Sequence, residues 1–448
     1  MSPEWVSIIA LVALFVLGTV LPINMGALAF VAAWLVGMFS LDLSEREIIG
    51  GMSGDLVLTL VGVTYLFAIA KNNGTVDLIV RKAVQAVGGR VGLIPWVMFA
   101  VTALLTAIGA ASPAACAIVG PIALGFAGRY KINALLMGMF VVHGAQAGGF
   151  SPISIYGTIT NSVMRSNDLP VNELAIFLAS LVVNLLIAIA LYAVFGRGLM
   201  SRRIDGAAEQ ERVAVASVAD NSTSDPGGST GVDSSLYHSS PDKGTETGRP
   251  TLAQLITLLM FVAVAALALV FDKNIGFTSI TGAVVLTALF PREQKGAVSQ
   301  VAWATVLLVA GVSTYAAVLA EAGAPEYVGT WAAQFSTVIM GALILCYVGA
   351  VVSAFASSIA LLPIIIPISI PLISSGNISA VALTAALSVS STIVDVSPYS
   401  TNGALMVANR PDTITEERFY KQVLAYSGVV VLAGPVLVWA AIVLPGWM

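Results

Sequence analysis

Gly149-Phe150-Ser151-Pro152-Ile153-Ser154-Ile155-Tyr156-Gly157 and Asp395-Val396-Ser397-Pro398-Tyr399-Ser400-Thr401-Asn402-Gly403 carry the same pattern, SPxSxxG, at a spacing of 246 residues. Each lies inside an apolar stretch long enough to cross a bilayer, 133 to 164 and 379 to 408. There a proline removes a helical hydrogen bond, and in the first copy the glycines ahead of it let the chain unwind. The same offset of 246, ungapped from Ala110 to Gly157, lays Ser112 on Ser358, Ala114 on Ala360, Ile118 on Ile364, Pro121 on Pro367 and Ile122 on Ile368. Upstream, an offset of 249 lays Gly62-Val63 on Gly311-Val312 and Gly74 on Gly323. The chain reads as two copies of one unit.

Composition says where that unit lives. Of 448 residues 58% are apolar and 10% charged, with two Cys, two His and a net charge of −4, and the mean hydropathy is +0.93. That is the balance of an all-α polytopic membrane protein. It argues against a basic nucleic-acid binder, a secreted disulfide scaffold and an outer-membrane barrel, whose strands would alternate in polarity. So few groups able to move protons, hold metals or attack carbonyls also argue against an enzyme.

Ten spans are expected, near 5 to 21, 25 to 40, 56 to 70, 133 to 164, 171 to 196, 251 to 271, 276 to 290, 303 to 320, 379 to 408 and 421 to 446. Two longer apolar stretches, 91 to 128 and 337 to 375, are interrupted by Gly109-Ala-Ala-Ser-Pro113 and Ser353-Ala-Phe-Ala-Ser-Ser358 and read as re-entrant hairpins. Segments 75 to 89 and 324 to 336 read as interfacial helices, the first with an apolar stripe of Val76, Ile79, Val80, Ala83, Val84 and Val87. The first span lacks a basic leader and a small-residue cleavage site, and is expected to be retained. Residues 199 to 250 are polar and read as a disordered linker.

Placing that linker in the cytoplasm puts 17 of the 20 Lys and Arg residues inside, leaving Arg46, Arg165 and Lys273 outside. Both termini then face out. Five crossings per copy is an odd number, so the second copy is upside down. Inverted repeats with broken helices at matching places are the pattern of a secondary transporter with a midplane site. The expected units are 1 to 90 and 251 to 336 as scaffold, with 91 to 198 and 337 to 448 as the two halves of a transport domain.

Broken helices expose N-terminal N–H groups that suit a carboxylate, and unwound carbonyls that suit Na⁺. Ser112, Ser358, Ser151, Ser154, Ser397, Ser400, Thr401 and Asn402 are therefore the candidate substrate-binding residues. Gly109, Ser112 and Gly149 form one candidate Na⁺ site, and Ala356, Ser358 and Asp395 the other. No Lys or Arg lies in either tip or break, so the anion's charge falls to helix dipoles and co-transported cations. Asp395 is the one acid placed at membrane depth in a hairpin or broken helix, where a charge costs about 2.5–3.5 kcal/mol on insertion scales. That marks it as a cation or proton site. His143, a turn before the first break, reads as a packing or capping residue, and Cys116 and Cys346 as small buried hydrophobes.

Gly148-Gly149 followed by SPxSxxG, with a serine at each hairpin tip, resembles the MatC-type dicarboxylate carriers of the ion-transporter superfamily, which includes the divalent anion/sodium symporters. The resemblance covers the chain outside the linker and is most specific over 109 to 164 and 353 to 408. It implies a homodimer in a bacterial inner membrane, a scaffold of spans 1 to 3 and 6 to 8, and elevator-type movement of the hairpins with the spans that follow them. In the symporters each tip carries Ser-Asn-Thr. Here the tips read Ala111-Ser112-Pro113 and Ser357-Ser358-Ile359, so only the serine carries over, and Asn402 with Thr401 substitute from the second break. The expected function is Na⁺-coupled symport of malonate or a C4 dicarboxylate. The alternatives are a proton-coupled carrier of another organic or inorganic anion and, less favoured, an anion channel.

Overall fold

The computed structural model describes residues 2–86, 88, 90–200, 202, 250–271, 273–333, 337–355, 357–374 and 378–445. The expected linker, apart from 199, 200, 202 and 250, lies outside the described residues, as do 334–336 at the end of the second interfacial segment. Every helix and strand assignment among the described residues is a helix, as the continuous apolar runs require.

The first copy runs α1 (Pro3–Val20), α2 (Met25–Ser40), α3 (Glu45–Gly50), α4 (Gly54–Asn72), α5 (Thr75–Ala86), α6 (Ile94–Ala107), α7 (Ser112–Arg129), α8 (Ala134–Gly148), α9 (Ile155–Ser166) and α10 (Glu173–Phe195). The second runs α11 (Leu252–Leu269), α12 (Ile275–Leu289), α13 (Trp303–Glu321), α14 (Ala324–Ala333), α15 (Val338–Phe355), α16 (Ser358–Ile368), α17 (Ile370–Ser374), α18 (Ala380–Ile393), α19 (Thr401–Ala408) and α20 (Glu416–Ile442). Starts are set by side-chain caps, among them Asn24, Ser53, Asn133, Asn274 and Ser379, each accepting from a backbone N–H of the first turn. Among the described residues seven helices are both long and apolar enough to cross a membrane. The 18-residue α7 is one of them, so length alone does not decide whether the α6 and α7 pair turns back. Apolar residues such as Val12, Val16, Leu255, Leu259 and Val262 face outward, where lipid replaces water.

Each interrupted span is two separate helices, α8 with α9 and α18 with α19, as the expected breaks require. Two features depart from the sequence reading. A short helix, α3, follows the second span, closed by a capping box between Ser44 and Glu47. The outgoing arm of the second hairpin stops at Ser369 and restarts as α17, because Pro363 and Pro367 remove ladder donors within α16 and Pro371 favours a fresh helical start.

The two copies make matching contacts. Asn24 caps α2 and donates to Ala304 O at 3.2 Å; Asn274 caps α12 and donates to Asp55. A Cβ on Gly311 would lie 1.9 Å from Gly26 O, and one on Gly62 would lie 2.6 Å from Gly276 O, so α2 crosses α13 and α12 crosses α4 at backbone contact. Glycines at these crossings are required by the approach of the two chains. α1 packs on α14 and α11 on α5, completing the correspondence in this part of the molecule. Among the remaining helices α8 is buried from Leu135 to Gly148 and α18 throughout, packed respectively against α6 with α10 and α15 with α20.

Candidate functional site

The two breaks share their capping bonds. Ser154 caps α9 by accepting from Gly157 N at 3.3 Å, and Ser400 caps α19 by accepting from Gly403 N at 3.3 Å. The same hydroxyls reach back, Ser154 to Ser151 O at 2.6 Å and to Gly149 O, Ser400 to Ser397 O at 2.7 Å and to Asp395 O. A Cβ on Gly157 would lie 2.0 Å from Ser151 O and one on Gly403 2.0 Å from Ser397 O. That is why the last position of SPxSxxG is glycine in both copies. Ser154 and Ser400 thus hold the shape of the breaks, with their hydroxyls committed to the backbone.

Tips and breaks meet crosswise. Ser112, the first residue of α7, bonds Asn402, the second residue of α19, at 2.8 Å. Two helix N-termini are thereby brought to one point, each with first-turn N–H groups free of intrahelical partners. Asn402 is buried and its amide oxygen has no hydrogen-bond partner. Because the Ser112 hydroxyl can donate or accept, the opposite amide orientation satisfies the same contact, leaving an NH₂ for a carboxylate instead of a carbonyl for a cation.

The second junction is the repeat equivalent of the first, with one addition. Ser358 replaces Ser112 and Tyr156 replaces Asn402, both at the 246-residue offset. Between them lies Asp395, whose repeat partner is Gly149. Its carboxylate accepts from Ser358 Oγ at 2.8 Å, Tyr156 Oη at 3.1 Å and Gln146 Nε2 at 3.2 Å. Ser353 Oγ lies 2.6 Å from Ser358 Oγ. The side chain is buried, 7% exposed, with no Lys or Arg among these partners. It is a carboxylate solvated by neutral donors and left without a counter-charge, a costly arrangement unless a cation completes it. The Gln146 amide oxygen is also unpartnered, and with the Ser, Tyr and Asp oxygens it gives the all-oxygen donor set that a hard cation takes.

The other expected residues fall as follows. Ser151 donates to Ala107 O at 2.8 Å and so ties the first break to the first tip, while Ser397 accepts from Tyr399 N within its own turn. Thr401 is exposed. Gly109 has φ +110°, and a Cβ there would lie 2.2 Å from Val63 Cγ1, so the first tip rests on α4. The Gly149 carbonyl is engaged twice, by Ser154 Oγ and by Gly157 N at 3.2 Å. Ala356 lies outside the described residues. Gln146 and Tyr156 were not singled out from the sequence, although both sit in or beside the first break. His143 is held between α10 and α20: Asn184 Nδ2 donates to Ser180 O, so its oxygen accepts from His143 Nδ1–H at 2.8 Å, and Tyr426 donates to Nε2 at 2.6 Å. Cys116 and Cys346 are both buried as free thiols.

A multi-pass helical protein that gathers buried polar groups of its tips and breaks at two junctions has the parts of a solute carrier. The comparisons with known families agree. Residues 1–149 match the family model described as the dicarboxylate carrier protein MatC N-terminus, and residues 256–446 match the citrate transporter family. No curated protein matches the sequence. The chain is similar to a MatC-type dicarboxylate carrier of the ion-transporter superfamily, a non-enzymatic membrane transporter of di- or tricarboxylates.

Proposed function

We propose that the chain is a secondary transporter that carries a small dicarboxylate, malonate or a C4 acid, in symport with Na⁺. The observation that carries this reading is the inequality of the two junctions. At Ser358 and Tyr156 a built-in carboxylate, Asp395, attracts a cation. At Ser112 and Asn402 the equivalent position is Gly149, so apposed helix N-termini meet without an acid, and an anionic substrate group is favoured there. With no Lys or Arg in tips or breaks, a dianion's charge is offset by helix dipoles and by the cation that travels with it. Such a load crosses the low-dielectric part of the membrane at smaller electrostatic cost than the bare anion.

Supporting the elevator expectation, α2, α4, α12 and α13 cross through glycines as one framework, while each hairpin is tied to breaks of both copies. In this reading the hairpins are re-entrant from opposite faces, both termini lie outside, and the framework helices form the homodimer scaffold of an inner-membrane protein. The test is dicarboxylate uptake into proteoliposomes with Na⁺ replaced by choline at constant pH, alongside Asp395→Asn. Uptake is expected to fall to background in choline, and the variant to lose its Na⁺ dependence. Undiminished uptake in choline would remove Na⁺ coupling. Abolition of uptake by collapsing the proton gradient would favour the proton-coupled alternative, for which Asp395 is again the group available.

A further inference from the structure

We propose that a buried row of hydroxyls on α18 is a line of internal water sites that conducts protons between the outer face of the protein and Asp395. The inference rests on Asp395 being the coupling-cation site. Thr384, Ser388 and Ser391, at intervals of four and three residues, form a single stripe on α18, and Asp395 follows in the turn just past the end of that helix at Ile393. The three hydroxyls are buried, and their oxygens have no hydrogen-bond partner among the described residues. Thr392, one position round the helix, donates instead to Ser388 O at 3.0 Å. Buried hydroxyls left unmet are destabilising, and a polar seam of this kind is where ordered water is found in proteins.

The repeat makes the stripe conspicuous. The equivalents of the three hydroxyls and of Asp395 in the first copy are Gly138, Val142, Ala145 and Gly149, none of them polar. Hydroxyls therefore appear along this face only in the copy that has an acid at its end.

The geometry suits protons. Side chains on one stripe stand about 5–6 Å apart, the span of one water making two hydrogen bonds of about 2.8 Å. From Ala380 to Ile393 the helix rises about 20 Å at 1.5 Å per residue. Opposite Ser391, α15 presents Gly349, where a Cβ would lie 2.5 Å from Ser391 Oγ, so backbone comes close to the stripe at this point. At the inner end Ser358 Oγ is 3.3 Å from Ser391 O and 2.8 Å from Asp395 Oδ1. A proton entering from water hops between the hydroxyls and the waters that bridge them to Ser358 Oγ and from there onto Asp395 Oδ1, only O–H bonds being exchanged and the Ser391 carbonyl serving to hold Ser358 in place, and Na⁺ arriving at the carboxylate returns it by the same line.

The ionisable groups facing Asp395 are the Tyr156 phenol on α9 and the Cys116 thiol on α7. Of the helices packed on α18, α15 brings Cys346, beside Ser390, and α8 brings His143, bonded to Tyr426 of α20. Charged residues of α10 and α20 stand in their first turns, at Glu173 and from Glu416 to Lys421, and α16 has none.

The experiment mixes purified full-length protein with Na⁺ in weakly buffered detergent solution containing a pH indicator, by stopped flow. Wild type is expected to release protons, and Asp395→Asn to release none. The triple variant Thr384→Val, Ser388→Ala, Ser391→Ala is expected to keep the amplitude but release about tenfold more slowly, the factor that one ordinary hydrogen-bonding step is worth. Ser390→Ala, off the stripe, should match wild type, and Ser388→Ala alone should slow release by a smaller factor if the triple variant does not fold. A wild type that takes up dicarboxylate only with Na⁺ yet releases no proton overturns the route and leaves the symport reading standing. An unchanged rate in the stripe variants overturns it as well. Uptake that ignores Na⁺ removes the symport reading itself.

Discussion

Asn402 is the side chain on which the anion assignment turns, because its amide joins the Ser112 tip to the second break and has one polar atom to spare. A hydrogen bond to a charged group is worth about 1.5–3 kcal/mol. Asn402→Ala is therefore expected to raise the KM for dicarboxylate uptake by about tenfold to a hundredfold with little change in Na⁺ dependence. Unchanged apparent affinity would take Asn402 out of the binding site. His143 offers the contrast: fully bonded to Asn184 and Tyr426, it is expected to show in His143→Ala as lost thermal stability of the purified protein, with the substrate KM retained. At this scale the sequence was readable where chemistry is scarce. One acid in an apolar span drew attention by its insertion cost, and a serine at each tip by its repetition. Gln146 and Tyr156 were not readable, because their importance lies in reaching Asp395 across some 240 to 250 residues of chain, and an isolated Gln or Tyr in a membrane helix has no local signature. Ser154 and Ser400 were readable as polar atoms but not as caps, since whether a hydroxyl faces a ligand or its own backbone depends on φ and ψ of the break.

Among elements, the broken helices divide into parts that shape the site and parts that fill it. The SPxSxxG turn belongs to the first kind. Its final glycine is fixed by a carbonyl 2.0 Å from where a Cβ would stand, in both copies. Gly157→Ala and Gly403→Ala should each shift the break enough to abolish uptake and to lower the midpoint of thermal unfolding, and the two effects should be alike. A variant pair in which only one loses activity would mean that the matching geometry has no matching role. Span limits were legible because the apolar runs stop at polar residues: the expected 25 to 40 and 276 to 290 are α2 (Met25–Ser40) and α12 (Ile275–Leu289), whereas the caps Asn24, Ser53 and Asn274 came only with the structure. The stop at Ser369 was missed although Pro363, Pro367 and Pro371 stand in plain view. Pro121 shows why. It is the repeat partner of Pro367, yet α7 runs on through it to Arg129, so one proline does not decide between a kink and an end. The surrounding packing does.

At the scale of the whole molecule the two copies match in their internal contacts but not in how the hairpin units meet the framework. α9 packs on α4, and α16 packs on α13. Exchanging the copies turns these contacts into α19 on α13 and α7 on α4, neither of which is extensive here. Two copies of one unit that make unequal contacts have a second arrangement of the same contacts open to them, with the inequality reversed. One bond makes this testable. Ser162 Oγ approaches Asp55 Oδ2 at 3.4 Å, and the repeat partners of these residues are Ala408 and Ala304, at offsets of 246 and 249. Both alanines are exposed in this structure, as the two faces of a contact yet to be made would be. Cysteines at 55 and 162 should cross-link and arrest uptake, with reduction restoring it, in a background lacking Cys116 and Cys346. Cysteines at 304 and 408 should cross-link only when Na⁺ and dicarboxylate allow the protein to cycle, and a molecule held by one pair should not form the other. If the 304 and 408 pair never forms in protein that is active before oxidation, the hairpin units do not exchange places against the framework, and the substrate must pass between helices that stay where they are.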